Sequence, residues 1–190
     1  MHARYLDDPP FFVTKTPDGL IGLDVIRQAF ATAKIIVIVR DGRDVALSAT
    51  HFRRLKSLEF LPYEGLLRTW AQGATAVAAA AESGKIGVIR YEDLSRDFVA
   101  TFGRLLEWLG ADAEPSLIRG IEAAVAFETM TGRPRGQAAA ANARKGAAHE
   151  WIDELSILAK RRAWSIAGPV LEQFGYTPTA TIATTYPGKI

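Results

Sequence analysis

The feature that most constrains this chain is KIIVIV, Lys34 to Val39, a continuous run of β-branched residues. Such a run suits a strand buried on both faces, the position strands take in a parallel sheet covered by helices. Its context repeats the theme. Phe11 to Thr14 reads as a strand, and Leu20 to Thr32 as a helix with Leu20, Leu23, Ile26 and Phe30 at helical spacing. A helix follows from Arg43 to about Arg54, then a loop through Pro62. A long Ala-rich helix from Glu64 to Glu82 carries Leu66, Leu67, Trp70, Ala74, Val77, Ala78 and Ala81 on one stripe, and Gly84 stops it. Lys85 to Arg90, KIGVIR, is the next strand. Short apolar strands alternating with longer amphipathic helices predict an α/β fold, a parallel sheet flanked by helices.

The remainder reads as mostly helical. Phe98, Phe102, Leu105, Leu106 and Leu109 form the buried stripe of a helix closed by Gly110, and Pro115 suits the first turn of the next. Thr131 to Ala148 has no periodicity and is expected to be a surface loop of functional length. Helical pattern resumes from Asp153 to Phe174, and the Thr- and Pro-rich tail after Tyr176 is expected to be poorly ordered. The expected organisation is a single domain over residues 1–176 with a disordered tail over 177–190.

Composition narrows the function classes. With 190 residues, 48% of them hydrophobic, the chain can bury one core. A net charge of +2 is too mild for a nucleic-acid binder that relies on a broad basic face, and suits a single anionic ligand better. The absence of Cys removes disulfides, thiolate metal sites and cysteine nucleophiles, and His2, His51 and His149 are too scattered for a metal site. No apolar run reaches the roughly 18 to 20 residues of a membrane span, and Met1 is followed by His2 and Arg4, not by a signal-peptide core. A soluble, cytoplasmic protein is therefore expected.

Chemistry concentrates in RDGRDVALS, Arg40 to Ser48, directly after the KIIVIV strand. A strand that ends in a tight polar turn and opens a helix places free N–H groups and the positive helix end at the carboxyl edge of the sheet, where anions bind. Arg40 adds a planar fork suited to phosphate, and Ser48 a hydroxyl donor. A second reading stays open from the residues alone: an Arg40–Asp44 salt bridge, with Ser48 bonding its own helix.

Strand-RDGRDVALS-helix resembles the 3′-phosphate motif of sulfotransferases that use adenosine 3′-phosphate 5′-phosphosulfate (PAPS), in which an Arg and a Ser eight positions apart hold the 3′-phosphate. Arg40 and Ser48 match them. Three further segments match in family order. Tyr91, in RYEDL, matches the position whose ring lies beside the adenine, and Phe127, in AFETMTGRPRG, a second adenine-packing position. Arg144, Lys145 and Gly146, in RKGAAHEW, match the RKG segment that closes over the 3′-phosphate. The resemblance runs from about Val13 to Tyr176, and RDGRD with KTP upstream is nearest to bacterial members and the tyrosylprotein and heparan-type relatives. It implies the P-loop-like sulfotransferase fold, PAPS as donor, adenosine 3′,5′-bisphosphate (PAP) as product, and no metal. The acceptor would be a hydroxyl or amine on a small molecule, glycan or protein.

Three departures qualify what the resemblance implies. The family's loop for the 5′-phosphosulfate does not occur here, so the fold is expected to lack its first βα unit, leaving a sheet edge that favours self-association. Lys15, in KTPDG, is left to stabilise charge on the transferred sulfuryl group, while the position of the cytosolic enzymes' catalytic His is Pro17. His149 and Glu150 stand where the family shows Gly and Asp before Trp151. Rival expectations are a PAP-binding remnant or assembly module without turnover, and a fragment of another P-loop phosphotransferase. His51 reads as a core or capping residue, Trp70, Trp108, Trp151 and Trp164 as packing, and Lys160, Arg161 and Arg162 as a solvated helix face.

Overall fold

A computed structural model of the chain describes residues 13, 15, 25, 28–55, 62–84, 86–126, 128–129, 132 and 148–179. They fall into two units, Met1–Ala33 and Lys34–Ile190. In the first, Val25, Gln28 and Ala29 are helical, within the helix expected over residues 20–32. Val13, in the expected first strand, is outside any strand and 85% exposed. The other residues of that strand lie outside the described ones.

The second unit holds a parallel pair of strands, β1 (Ile36–Val39) and β2 (Gly87–Arg90). Between them run α1 (Gly42–Leu55) and α2 (Tyr63–Glu82). After β2 come α3 (Tyr91–Arg96), α4 (Phe98–Leu109), α5 (Pro115–Val125), α6 (Trp151–Glu154) and α7 (Ile157–Gln173). This is the expected α/β architecture, richer in helix than in strand. Among the described residues no helix is long and apolar enough to cross a membrane.

The strands pair in register, Ile36 with Gly87 through Val39 with Arg90. All of β2 is buried. For β1 the sequence reading needs correction, because Ile38 is 59% exposed and only Val39 is fully buried. Among the described residues β1 pairs with β2 alone.

The core forms where α2 packs on α1 and α7. Leu67, Ala74, Val77, Ala78 and Ala81 recur on one face of α2 and are buried, meeting Ala163, Ala167, Val170 and Leu171 of the α7 layer. The single helix expected from Asp153 to Phe174 is two, because Ser156 accepts a hydrogen bond from Ala159 N at 3.2 Å and starts α7 anew. Asp97 caps α4 in the same way, accepting from Ala100 N at 3.0 Å, and Gly110 closes it at φ 77°.

Candidate functional site

The register of the sheet fixes the site. Because Val39 pairs with Arg90, the next residue of each chain segment, Arg40 and Tyr91, emerges side by side at the carboxyl edge. The Arg40 guanidinium lies over the Tyr91 ring, 5.0 Å from its centroid, and keeps 24% of its side chain exposed. One residue further, Asp41 N donates to Glu92 Oε1 at 3.0 Å, locking the two strand ends together.

The start of α1 differs from the expectation of free N–H groups. Asp41 caps the helix, its Oδ1 accepting Arg43 N at 2.9 Å while its carbonyl accepts Asp44 N and Val45 N, both at 3.0 Å. A carboxylate already answers the helix dipole there. The N–H groups of Arg43, Asp44 and Val45 are therefore already taken. Gly42 is required at the first helical position, since a Cβ there would lie 2.2 Å from Trp70 Cε3.

Ser48 lies one turn beyond Asp44 on the same side of α1. Asp44 accepts His149 N at 2.6 Å and Trp151 N at 3.0 Å, and His51 Nε2 lies 3.2 Å from Glu154 Oε2. Ser48 thus sits between two tethers that join α1 to the segment 149–154. His51 contacts Glu154 on a half-exposed face and is not the core or capping residue that the sequence suggested. The Ser48 hydroxyl makes no hydrogen bond among the described residues, whereas Thr50 bonds Ala46 O at 2.9 Å. The alternative of Ser48 closing on its own helix is thereby overturned. The other half of that alternative is present, with Arg40 Nη2 3.6 Å from Asp44 Oδ2.

Beneath the site lies a buried ionic layer that sequence reasoning missed. Arg43, 1% exposed, grips Asp41 through Nε at 2.9 Å and Nη2 at 2.7 Å. Its guanidinium stacks 3.6 Å from the Trp151 centroid, and its Nη1 donates to Thr177 O at 2.9 Å. Arg90 grips Asp93 at 2.7 and 2.9 Å and donates to Phe174 O at 3.2 Å. Glu92 Oε2 accepts from Tyr176 OH at 2.7 Å. These bonds strap residues 174–177 across the carboxyl edge of the sheet. Burial pushes Glu92 above the usual carboxylate range against the pull of Asp41 N and Tyr176, and Asp44 above its ordinary value against Trp151 N and Arg40. The signal available in the sequence was the clustering of RDGRD and RYED at the ends of two strands.

Of the residues the sequence singled out, the structure brings Arg40 and Tyr91 into contact and sets Ser48 along the adjoining helix face. Lys15 is exposed and belongs to the N-terminal unit. Phe127, Arg144, Lys145 and Gly146 lie outside the described residues. His149, three positions after Gly146, is described and has φ 66°, a left-handed conformation in which Gly is at ease. The surface-face reading of residues 160–162 needs one amendment: Arg162 Nε lies 2.5 Å from Glu64 Oε1 on α2.

The class that these features define is a parallel α/β unit with a cationic strand end beside an aromatic ring, at the sheet edge where open α/β folds carry their sites. The chain belongs to the sulfotransferase family, whose model matches residues 2–115. No curated protein sequence matches it significantly. Among solved structures it is similar to mouse sulfotransferase SULT7A1 complexed with PAP, with TM-score 0.61 and 20% identity over 78% of this chain and 61% of that one. It is also similar to retinol dehydratase in complex with androsterone and inactive cofactor PAP, with TM-score 0.61 and 18% identity over 84% of this chain and 51% of that one. At such identities the likeness is one of fold. The chain spans 61% and 51% of the lengths of these two proteins.

Proposed function

We propose that this chain binds the adenosine 3′-phosphate end of PAPS and serves transfer of its sulfuryl group to a hydroxyl or amine acceptor, releasing PAP. The observation that carries the reading is the juxtaposition of Arg40 and Tyr91, a half-buried guanidinium 5.0 Å over an aromatic ring at two adjoining strand ends. A planar fork beside a π-face suits an anion attached to a heteroaromatic base. The Ser48 hydroxyl, with no hydrogen bond of its own among the described residues, adds a donor on the neighbouring helix. Arg144, Lys145 and Gly146 would complete the 3′-phosphate contacts and Phe127 the adenine packing, as the family pattern assigns them.

In the transfer, a new S–O or S–N bond to the acceptor forms as the S–O bond to the 5′-phosphate breaks, and the acceptor gives up a proton. The residues at the strand ends do not touch the sulfur. Their part is to supply binding energy remote from the reacting group, which positions the donor. Lys15 would offset charge on the transferring sulfuryl group.

Calorimetry with PAP and 5′-AMP tests the reading. PAP is expected to bind far more tightly, because the ligands converge on the 3′-phosphate. Arg40→Ala should cost PAP binding about 1.5–3 kcal/mol, the range for a hydrogen bond to a charged group. Equal affinities for the two nucleotides sink the assignment. Incorporation of radiolabelled sulfate from PAPS into phenols, alcohols, amines and glycans then separates a catalyst from a PAP-binding protein without turnover.

A further inference from the structure

The Asp44 carboxylate links the parts of the site. Its Oδ2 lies 3.6 Å from Arg40 Nη2 and accepts His149 N at 2.6 Å, while its Oδ1 accepts Trp151 N at 3.0 Å. The side chain is fully buried, with Asp44 1% exposed. A negative charge next to an anion site repels the ligand, so simple electrostatics argues against its presence there. What it does structurally runs the other way. It fixes the guanidinium from one side and closes the turn at His149–Trp151 onto the first turn of α1.

That turn has little freedom left. His149 has φ 66°, which a non-glycine residue holds only where its surroundings impose it, and the bond from its N–H to Asp44 is one such constraint. Trp151 is pinned on its ring face by Arg43, 3.6 Å from the centroid, and Arg43 is itself bound to the capping residue Asp41. A shift of the turn would disturb the start of α1, and with it Arg40.

We infer that Asp44 is a positioning residue for recognition of the 3′-phosphate: it orients Arg40 and seats the His149–Trp151 turn against α1, and acts on the ligand only through them. The inference rests on the reading of Arg40 as a phosphate ligand.

The sign of one substitution decides it. Asp44→Asn removes the repelling charge but keeps the shape. If the carboxylate matters only through its charge, PAP binds more tightly to the variant. If it positions, PAP affinity falls by about tenfold or more, the scale of one charge-assisted hydrogen bond, while 5′-AMP affinity changes by less than about twofold. Added to Arg40→Ala, Asp44→Asn should then cost PAP binding less than it does in the natural chain, because one of its two routes to the ligand runs through the same guanidinium. Tighter PAP binding, an unchanged ratio of PAP to 5′-AMP affinity, or fully additive losses overturns the proposal. A purely structural role would lower stability without moving that ratio.

If Asp44→Asn does not fold, hydrogen exchange on the unmodified chain gives the answer. PAP should slow exchange of the His149 and Trp151 amides and 5′-AMP should not. Equal effects of the two ligands on those amides overturn the proposal. A natural chain that binds PAP and 5′-AMP alike removes the Arg40 reading itself. A natural chain that discriminates, with Asp44→Asn discriminating equally, removes only the role of Asp44.

Discussion

Gly42 and His149 show how single backbone positions hold the site. The absence of a Cβ at residue 42 lets the Trp70 ring pack on the turn between β1 and α1, where an added methyl would lie 2.2 to 2.6 Å from three ring atoms. Gly42→Ala should therefore destabilise the chain by about 1–3 kcal/mol, the usual cost of overpacking. Urea denaturation measures it, and Trp70→Leu in the same background should recover part of the loss, because the two changes share one contact. An additive result would show that the clash is relieved elsewhere. His149 presents the opposite case, a side chain in a conformation that suits glycine. His149→Gly should raise stability by up to about 1 kcal/mol, since relief of left-handed strain slightly exceeds the added entropy of the unfolded glycine. A fall in midpoint would mean that the imidazole contributes packing that outweighs the strain.

Among the elements, the join between the strand ends and residues 174–177 is the one with a pH signature. Glu92 bridges Asp41 N and Tyr176 OH from a buried position, and burial raises its pKa above the ordinary 4.5. The folded state thus holds the proton more tightly than the unfolded chain. The stability this group contributes is complete below about 4.5 and is lost as pH rises through the raised folded value. Gln at position 92 retains an acceptor for Asp41 N and can donate to a rotated Tyr176 hydroxyl, without a charge to desolvate. Glu92→Gln should therefore gain on the natural chain as pH rises from 4.5 toward neutrality, and differ little from it at the acid end. Denaturant midpoints across that range measure the gap. A gap that is constant with pH would mean that Glu92 does not titrate as its burial requires.

At the scale of the molecule, ligand and fold should be linked. A nucleotide that bridges the strand end, the α1 face and the 149–151 turn stabilises the folded state by about 2.7 kcal/mol at a hundredfold excess over its Kd. PAP is expected to raise the thermal midpoint in a concentration-dependent way, and 5′-AMP much less at the same concentrations. Equal shifts from both would place the binding energy in the adenosine. The contrast between PAP and 5′-AMP should also narrow in Arg40→Ala.

Periodicity placed the two strands and the longer helices from Lys34 to Val125, because the spacing of apolar residues is a local property, but it missed the short helix Tyr91–Arg96 and the break at Ser156, which capping and not apolar spacing decides. The strand-turn-helix at RDGRDVALS and the strand before RYEDL were legible for the same reason, so Arg40, Ser48 and Tyr91 were placed on their elements correctly. Which groups those residues meet was not. That Arg40 lies over Tyr91 depends on the register of β1 with β2, and hydrogen bonds between segments some fifty residues apart leave no periodic trace. The burial of Asp41, Arg43, Asp44, Arg90, Glu92 and Asp93 was hidden too, since charged residues read as surface unless their partners are known. Their partners come together only when α6, α7 and residues 174–177 fold back over the end of the sheet. The exposure of Ile38 follows the same logic in reverse: its side chain fits a buried strand, and only the tertiary arrangement decides whether anything lies against it.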